Sequence, residues 1–214
     1  AYSAAIFHLM THAFFKALLF LGAGAVIHCL HHEHDIFKMG GLRNKLPVVF
    51  WSFLIGSSAL AALPFTSGWY SKDEILLATW SLPTTGPWLW VGGIAGAILT
   101  AIYSFRLVFI VFWGEPKTIP DKTPGLRMSI PLVILCVLSL IGGLITAPLD
   151  PVFPSQTRSP ATGPVAWITM TIAVVGVLIS YSLYLRPHID IDPMLNIPAI
   201  KKLRNFWYSG WAMD

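Results

Sequence analysis

Apolar residues fill five long stretches of the chain, and short polar segments separate them. The stretches cover roughly residues 4–30, 46–82, 87–113, 129–147 and 165–185. About 20 apolar residues in a helix span the hydrocarbon core of a bilayer, whereas a transmembrane barrel would show short alternating segments. The pattern predicts an all-α polytopic membrane protein with about five transmembrane helices. We expect a helical bundle over residues 1–186 and a polar, interfacial tail over residues 187–214.

The second apolar stretch is interrupted between residues 64 and 71. Pro64 removes a backbone donor and Gly68 frees the backbone, so we expect a helix to end there. Ser71 and Glu74 have the spacing of a capping box, which predicts a new helix with Lys72 as its first residue. That helix, of about 11 residues, is too short to cross a bilayer alone. We therefore expect one discontinuous membrane helix, and the alternative is a short surface helix with Lys72 in solvent.

The composition is that of a membrane protein rather than a soluble domain. Hydrophobic residues make up 55% of the 214 positions and charged residues only 11%, with a mean hydropathy of +0.68. Soluble domains usually carry about 25% charged residues. The net charge of +4 reflects basic loops, and no basic patch is dense enough for nucleic-acid binding. Cys29 and Cys136 lie in separate apolar stretches, without the spacing of a metal or redox site.

Three polar residues recur at helical spacing within the first apolar stretch. His8, His12 and Lys16 lie four residues apart, which places them on one helix face over about 12 Å of its axis. A charged lysine at mid-membrane costs about 2.5–3.5 kcal/mol, so such a face is expected to look into protein or water. Together these groups can pass a proton from one to the next. The alternatives are a histidine that simply bonds a neighbouring helix and a lysine that extends to the interface.

Lys72 and Asp73 are the candidate groups at the helix break. The positive end of a half-helix disfavours an ammonium at Lys72, whereas Asp73 and Glu74 favour it. A lysine balanced between these influences is suited to gain and lose a proton during a cycle.

A histidine-rich segment follows the first stretch. It contains His28, His31, His32 and His34. A metal site needs a closed or nearly closed ligand set, and no matching ligands recur elsewhere in the sequence. We therefore expect a solvated loop and no metal site.

Four segments resemble a known family. They are "AIFHLMTHAFFKALLFLGAGAVIH", "HDIFKMGGLR", "ALPFTSGWYSKDEIL" and "YSFRLVFIVFWG". In combination they resemble the antiporter-like L subunits of bacterial NADH–quinone oxidoreductase, respiratory complex I, whose mitochondrial counterpart is subunit 5. The resemblance covers nearly the whole chain and is strongest up to Gly114. It is to the C-terminal portion of the family, so we expect a segment of a longer polypeptide.

The resemblance implies a proton channel built from two inverted five-helix repeats, each with one broken helix. The chain would then be part of an antiporter-like inverted-repeat bundle. His8 and His12 match the histidines of the family's central hydrophilic axis, and Lys16 matches the neighbouring lysine. Lys72 matches the lysine of the second broken helix, with Asp73 next to it.

The resemblance also implies a proton-translocating membrane subunit of an NADH:quinone oxidoreductase in the bacterial inner membrane. No cofactor or redox-active site is expected in this chain. The expected partners are the lipid membrane and other membrane subunits of complex I, especially a neighbouring antiporter-like subunit.

Two other functions stay open. The large subunit of a multi-subunit sodium/proton antiporter shares this core. A haem-binding membrane cytochrome subunit would need axial ligands on two facing elements, whereas His8 and His12 lie on one helix.

Overall fold

The computed structural model describes residues 2–145, 164–185 and 196–209, which form seven α-helices and no β-strand. The helices are α1 (Tyr2–Cys29), α2 (Pro47–Leu60), α3 (Ser67–Trp80), α4 (Gly86–Val108), α5 (Leu126–Ile141), α6 (Pro164–Tyr184) and α7 (Pro198–Tyr208). A π-helical turn, Phe109–Trp113, extends α4, and a 3₁₀ turn, Gly142–Leu144, extends α5. The expected all-α architecture is confirmed. The parts of the predicted fourth helix and of the tail that fall in 146–163, 186–195 and 210–214 lie outside the described residues.

Among the described residues, four helical segments are long and apolar enough to cross a membrane. They are Ser3–Cys29, Gly86–Trp113, Leu126–Leu144 and Trp167–Tyr184. By contrast, α2 and α3 contain 14 residues each, about 21 Å at 1.5 Å per residue, so neither spans a core about 30 Å thick. Together they form the discontinuous crossing that the interrupted apolar stretch predicts.

The break between α2 and α3 occupies residues 61–66. Ala62 has a φ of +60°, the left-handed conformation that usually belongs to glycine. Its N–H donates to the Ala59 carbonyl at 3.1 Å, and the N–H of Leu63 donates to the Ser58 carbonyl at 2.9 Å. These two bonds define a Schellman motif, which satisfies the last carbonyls of α2. The helix therefore stops before Pro64, at an alanine rather than at the proline.

The position of α3 corrects the prediction made from the capping-box spacing. The helix begins at Ser67, with Thr66 as its N-cap in extended conformation, so Ser71 lies in its second turn. Both the break expected at 64–71 and the placement of Lys72 as first helical residue are therefore wrong. The Ser71 hydroxyl bonds side chains of α1 and carbonyls of its own helix, and so does not serve as a cap.

Gly68 allows α3 to begin close to the end of α2. A Cβ atom on Gly68 would lie 1.8 Å from the carbonyl oxygen of Ala59 in the last turn of α2. Real Cβ atoms do not approach an oxygen so closely, so only glycine lets the first turn of α3 rest on α2. The two halves of the crossing are thus in direct backbone contact.

The helices pack around α1, which contacts α2, α3 and α5. On the other side of the break, α4 contacts α2, α3 and α6. The core between α1, α2, α4 and α5 includes Leu18, Val49, Phe53, Val108, Phe112 and Leu132. Large apolar side chains exposed on the outer faces include Leu99, Val133, Ile134, Val137, Trp167 and Leu178. An apolar exterior around a packed interior is what a bundle in lipid requires.

The connection between α1 and α2 packs against the segment that follows α4. Gly40 has a φ of +152°, and a Cβ there would lie 2.0 Å from the Glu115 carbonyl oxygen. The Thr118 hydroxyl donates to the Lys38 carbonyl at 2.7 Å. These contacts, which we call the loop clasp, fasten the α1–α2 connection to the segment that follows α4.

Candidate functional site

A cavity of about 210 Å³ lies where α1 passes the break between α2 and α3. Its lining consists of His8, His12, Phe15 and Lys16 from α1, Ala59 and Leu60 from α2, Gly68 and Lys72 from α3, and Thr100 and Tyr103 from α4. Four of the five residues singled out from the sequence therefore meet at one place, although Lys72 is far from the others along the chain. The tight contact between α2 and α3 brings Lys72 opposite the polar face of α1.

The polar face of α1 is continuous along the cavity. The rings of His8 and His12 are 5.9 Å apart between centroids and tilted by 40°. His12 also packs edge-on against Phe15 at 5.2 Å, which fixes the orientation of its ring. One turn further, the Nζ atom of Lys16 lies 5.8 Å from the centroid of the Phe20 ring. All three polar side chains are partly buried, so they look into the bundle, as the helical spacing predicts.

Lys72 approaches the same cavity from the second turn of α3 and is partly buried. It lies within electrostatic range of His8. Ion pairs between described residues lie in the loops, as between Lys38 and Glu33 and between Lys122 and Asp121. The cavity therefore gathers nitrogen bases and ammonium groups from two helices, and a proton on one of them disfavours a proton on the next.

Asp73 points elsewhere. Its side chain is buried, does not line the cavity and forms a hydrogen bond with the side chain of Thr169 on α6. The structure thus places Asp73 in the contact between α3 and α6, next to Lys72 in sequence and within its electrostatic range but outside the cavity wall. Its expected part in a proton pathway stays a prediction.

Four polar residues of the site were not predicted as site residues from the sequence. Thr100 and Tyr103 line the cavity from α4, on a helix whose apolar pattern gives no sign of it. Thr11 and Ser71 are fully buried beside His8, where Ser71 accepts a hydrogen bond from the Thr11 hydroxyl at 2.8 Å. Thr11 falls between the two histidines in sequence, which was the available signal. Ser71 had a competing interpretation as a helix cap.

The histidine-rich segment lies at the end of α1, away from the cavity lining. Nδ1 of His31 is 3.5 Å from a carboxylate oxygen of Asp121, and the rings of His28 and His32 are 6.4 Å apart between centroids. Within the ranges that the structure describes, no three His, Cys, Asp or Glu side chains are arranged to hold a metal ion. His31, His32 and His34 are exposed.

Comparison with known proteins agrees with the fold. Residues 1–102 match the family model described as "NADH:quinone oxidoreductase/Mrp antiporter, TM". The whole chain is 44% identical to NADH-quinone oxidoreductase subunit L of Escherichia coli and 46% identical to subunit L of Pseudomonas aeruginosa. The chain spans 35% of the length of each of these relatives.

A solved structure shares the fold at lower identity. The Mrp complex of a Dietzia species matches with a TM-score of 0.66 and 22% identity, over 98% of this chain and 25% of the matching chain. The antiporter-like bundle expected from the sequence is thereby confirmed. The apolar helices and the bacterial relatives make the chain an integral protein of the bacterial inner membrane. Together, the identity over the whole of this chain and the family match over residues 1–102 show that the chain belongs to the subunit L family of NADH–quinone oxidoreductase.

Proposed function

We propose that the chain is part of a proton-translocating, antiporter-like membrane subunit of NADH–quinone oxidoreductase, and that protons pass through the cavity between α1 and α3. The observation that carries this proposal is the lining itself. His8, His12, Lys16 and Lys72 come from two helices and surround one cavity at a helix break. Broken helices at membrane depth are tolerated where they face protein or a wet cavity, and transporters place their sites there.

The chemistry of the lining favours protons over sodium ions. Hard cations such as Na⁺ are bound by oxygen ligands, above all by carboxylates and carbonyls. The described residues around the cavity include two imidazoles and two amines but no carboxylate. Imidazoles exchange protons near neutral pH, and a partly buried lysine is able to lose its proton. We therefore prefer proton translocation to a sodium/proton antiport site at this cavity.

We further propose that the redox chemistry of the complex belongs to other subunits. Haem ligation by two histidines needs ligands on opposite faces of the macrocycle, whereas His8 and His12 lie one turn apart on α1. The remaining described histidines belong to the end of α1 and its loop. Energy would then reach this chain through conformational and electrostatic coupling. Other membrane subunits, especially a neighbouring antiporter-like subunit, and lipid would cover the apolar outer faces.

The test compares three variants of the full-length subunit in the assembled complex. Lys72→Ala removes the amine, Lys72→Arg keeps a cation that does not release its proton, and Lys45→Ala removes an exposed lysine as a matched control. Proton uptake into inside-out membrane vesicles is measured per NADH oxidised, together with the amount of assembled complex.

We expect both Lys72 variants to assemble and to translocate fewer protons per NADH, because a positioned proton-transfer group contributes about 10²–10⁴-fold to the transfer rate. Lys45→Ala should behave like the unmodified complex. Full translocation in assembled Lys72→Ala would contradict the proposal. Full translocation in Lys72→Arg would show that only the charge matters, and would equally contradict proton exchange at this residue.

A further inference from the structure

The buried hydroxyl groups of Ser71 and Thr11 form a hydrogen-bonded pair next to Nδ1 of His8. Oγ of Ser71 lies 2.9 Å from Nδ1 of His8, and Oγ1 of Thr11 lies 2.8 Å from Oγ of Ser71. Both hydroxyl-bearing residues are fully buried, and neither lines the cavity. A buried hydroxyl is retained at its desolvation cost only where its hydrogen bonds are made. The geometry of these bonds therefore carries information about the state of His8.

The hydrogen-bonding capacity of Ser71 assigns the tautomer of His8. A serine hydroxyl has one donor and two acceptor sites. The Ser71 hydroxyl is placed to donate to the Ser67 carbonyl at 3.2 Å, a bond within its own helix. The Thr11 hydroxyl lies 2.8 Å from Oγ of Ser71 and 3.0 Å from the carbonyl oxygen of His8 in its own helix. With its proton on the shorter contact, Thr11 and Nδ1–H of His8 fill both acceptor sites of Ser71. The alternative, in which Ser71 donates to an unprotonated Nδ1, gives up the donation to the Ser67 carbonyl and leaves one of these acceptor sites unused.

We infer that Ser71, oriented by Thr11, is a positioning residue that keeps Nδ1 of His8 protonated and leaves Nε2 as the nitrogen that takes up and releases the proton. This inference rests on the proposed function and names which atom of His8 carries out the transfer. Uptake forms the Nε2–H bond and gives an imidazolium. Release breaks the same bond and returns the neutral ring with its Nδ1–H still bonded to Ser71. The heavy atoms need not move between the two states.

The pair also links the two halves of the site. Thr11 and His8 belong to α1, whereas Ser71 precedes Lys72 on α3. The groups that act electrostatically on His8 are His12 on its own helix and Lys72 on α3, while Tyr103 faces the same cavity from α4 and α2 contributes only Ala59 and Leu60. The bond to Ser71 therefore ties His8 to the turn of α3 that carries Lys72.

A pair of Thr11 variants separates the hydroxyl from the shape of the side chain. Thr11→Val keeps the shape and removes the hydroxyl, whereas Thr11→Ser keeps the hydroxyl and removes a methyl group. Both are made in the full-length subunit of the assembled complex, and proton translocation is measured in vesicles at equal amounts of complex. We expect Thr11→Val to slow translocation about threefold to tenfold, the effect of losing one hydrogen bond, and Thr11→Ser to stay near the unmodified rate.

Ser71→Ala and the variant that combines Thr11→Val with Ser71→Ala complete a double-mutant cycle. We expect Ser71→Ala to be slower than Thr11→Val, because it removes the acceptor of Nδ1–H itself. The double variant should be no slower than Ser71→Ala alone, since Thr11 acts through Ser71. The two Thr11 variants alone decide the matter if Ser71→Ala fails to assemble.

The reverse order, with Thr11→Val normal and Thr11→Ser impaired, would show a packing role and overturn the inference. Normal rates in all variants would also overturn it. If, in parallel, Lys72→Ala loses translocation, the proposed function stands and only the role of the hydroxyl pair fails. Loss of function in Thr11→Val with full translocation in Lys72→Ala would instead contradict the proton route through Lys72.

Discussion

The two lysines at membrane depth in this chain, Lys16 and Lys72, lie where polar groups surround them. Lys16 is central in α1 and Lys72 lies in a broken crossing, and both border the cavity between the helices. A lysine facing lipid at the same depth would cost about 2.5–3.5 kcal/mol or more. Polar groups gathered around a shared cavity reduce this cost, because they solvate one another and the cavity can hold water. Outside the helices, charged side chains instead form ion pairs within the loops.

Glu33 offers a residue-scale prediction with a defined sign. Its carboxylate accepts N–H bonds from Asp35 at 2.9 Å and His34 at 3.0 Å and pairs with Lys38 at 3.3 Å. The bond from the Asp35 backbone, with help from Lys38 and His34, holds the pKa of Glu33 below its ordinary value of 4.5. Because the folded pKa is lowered, this stabilisation is complete above 4.5 and is lost as the pH falls through the folded pKa.

We therefore expect backbone protection of residues 33–38 to decrease in acid, measured by hydrogen exchange corrected for the intrinsic rate at each pH. Glu33→Gln should lower protection at neutral pH and reduce its dependence on acid. Equal protection of both proteins at every pH would show that the carboxylate does not stabilise this turn.

At the scale of the helix, the break is built from backbone contacts rather than from its proline. The Schellman motif ends α2 at residues before Pro64, and Gly68 lets α3 begin against the Ala59 carbonyl. The cavity exists at this point because α3 starts there and presents Lys72 one turn later. A change at Gly68 should therefore affect the site without touching any ionisable group.

Gly68→Ala is expected to destabilise the subunit. The added methyl would lie 1.8 Å from the Ala59 oxygen, so α2 and α3 must move apart, and overpacking of this kind typically costs about 1–3 kcal/mol. Gly24→Ala in α1 is the matched control, because a methyl there meets no atom within 4 Å. Thermal inactivation of the solubilised complex measures the difference. Equal inactivation temperatures for the two variants would mean that the close approach is not needed.

Much of the element structure could be predicted from the sequence, and the failures have local causes. The length of the apolar stretches predicted the crossings, and the four-residue spacing placed His8, His12 and Lys16 on one face. The start of α3 was missed because a left-handed alanine at Ala62 leaves no signal in the sequence comparable to glycine. Ser71 then matched a capping box by spacing alone. The approach of Thr100 and Tyr103 to the cavity depends on tertiary packing, which no local pattern encodes.

For the molecule as a whole, polarity is reversed relative to a soluble protein. The exposed surface of α4, α5 and α6 is largely apolar, while ionisable groups line a partly open cavity between α1, α2, α3 and α4. Which side of a helix carries a charge should therefore matter more than its depth. This follows because lipid cannot solvate a charge, whereas the cavity can hold water and polar partners.

Leu99→Lys tests this prediction at the middle of the α4 crossing. Leu99 is 64% exposed on the outer face, so a lysine there would meet lipid or an apolar partner. We expect a cost of about 2.5–3.5 kcal/mol and a clear loss of subunit from the membrane fraction, whereas Leu99→Ala should insert normally. Normal insertion and assembly of Leu99→Lys would indicate that this face borders water.

The loop clasp lies far from the histidines. It joins the α1–α2 connection to the segment that follows α4, beyond the C-terminal ends of both helices. His8 and His12 lie in the N-terminal half of α1, where the hydrogen bonds to Ser71 and the packing on α3 hold the helix. The two ends of α1 are thus anchored by different parts of the chain, so a change of sequence in the loops should leave the histidines in place.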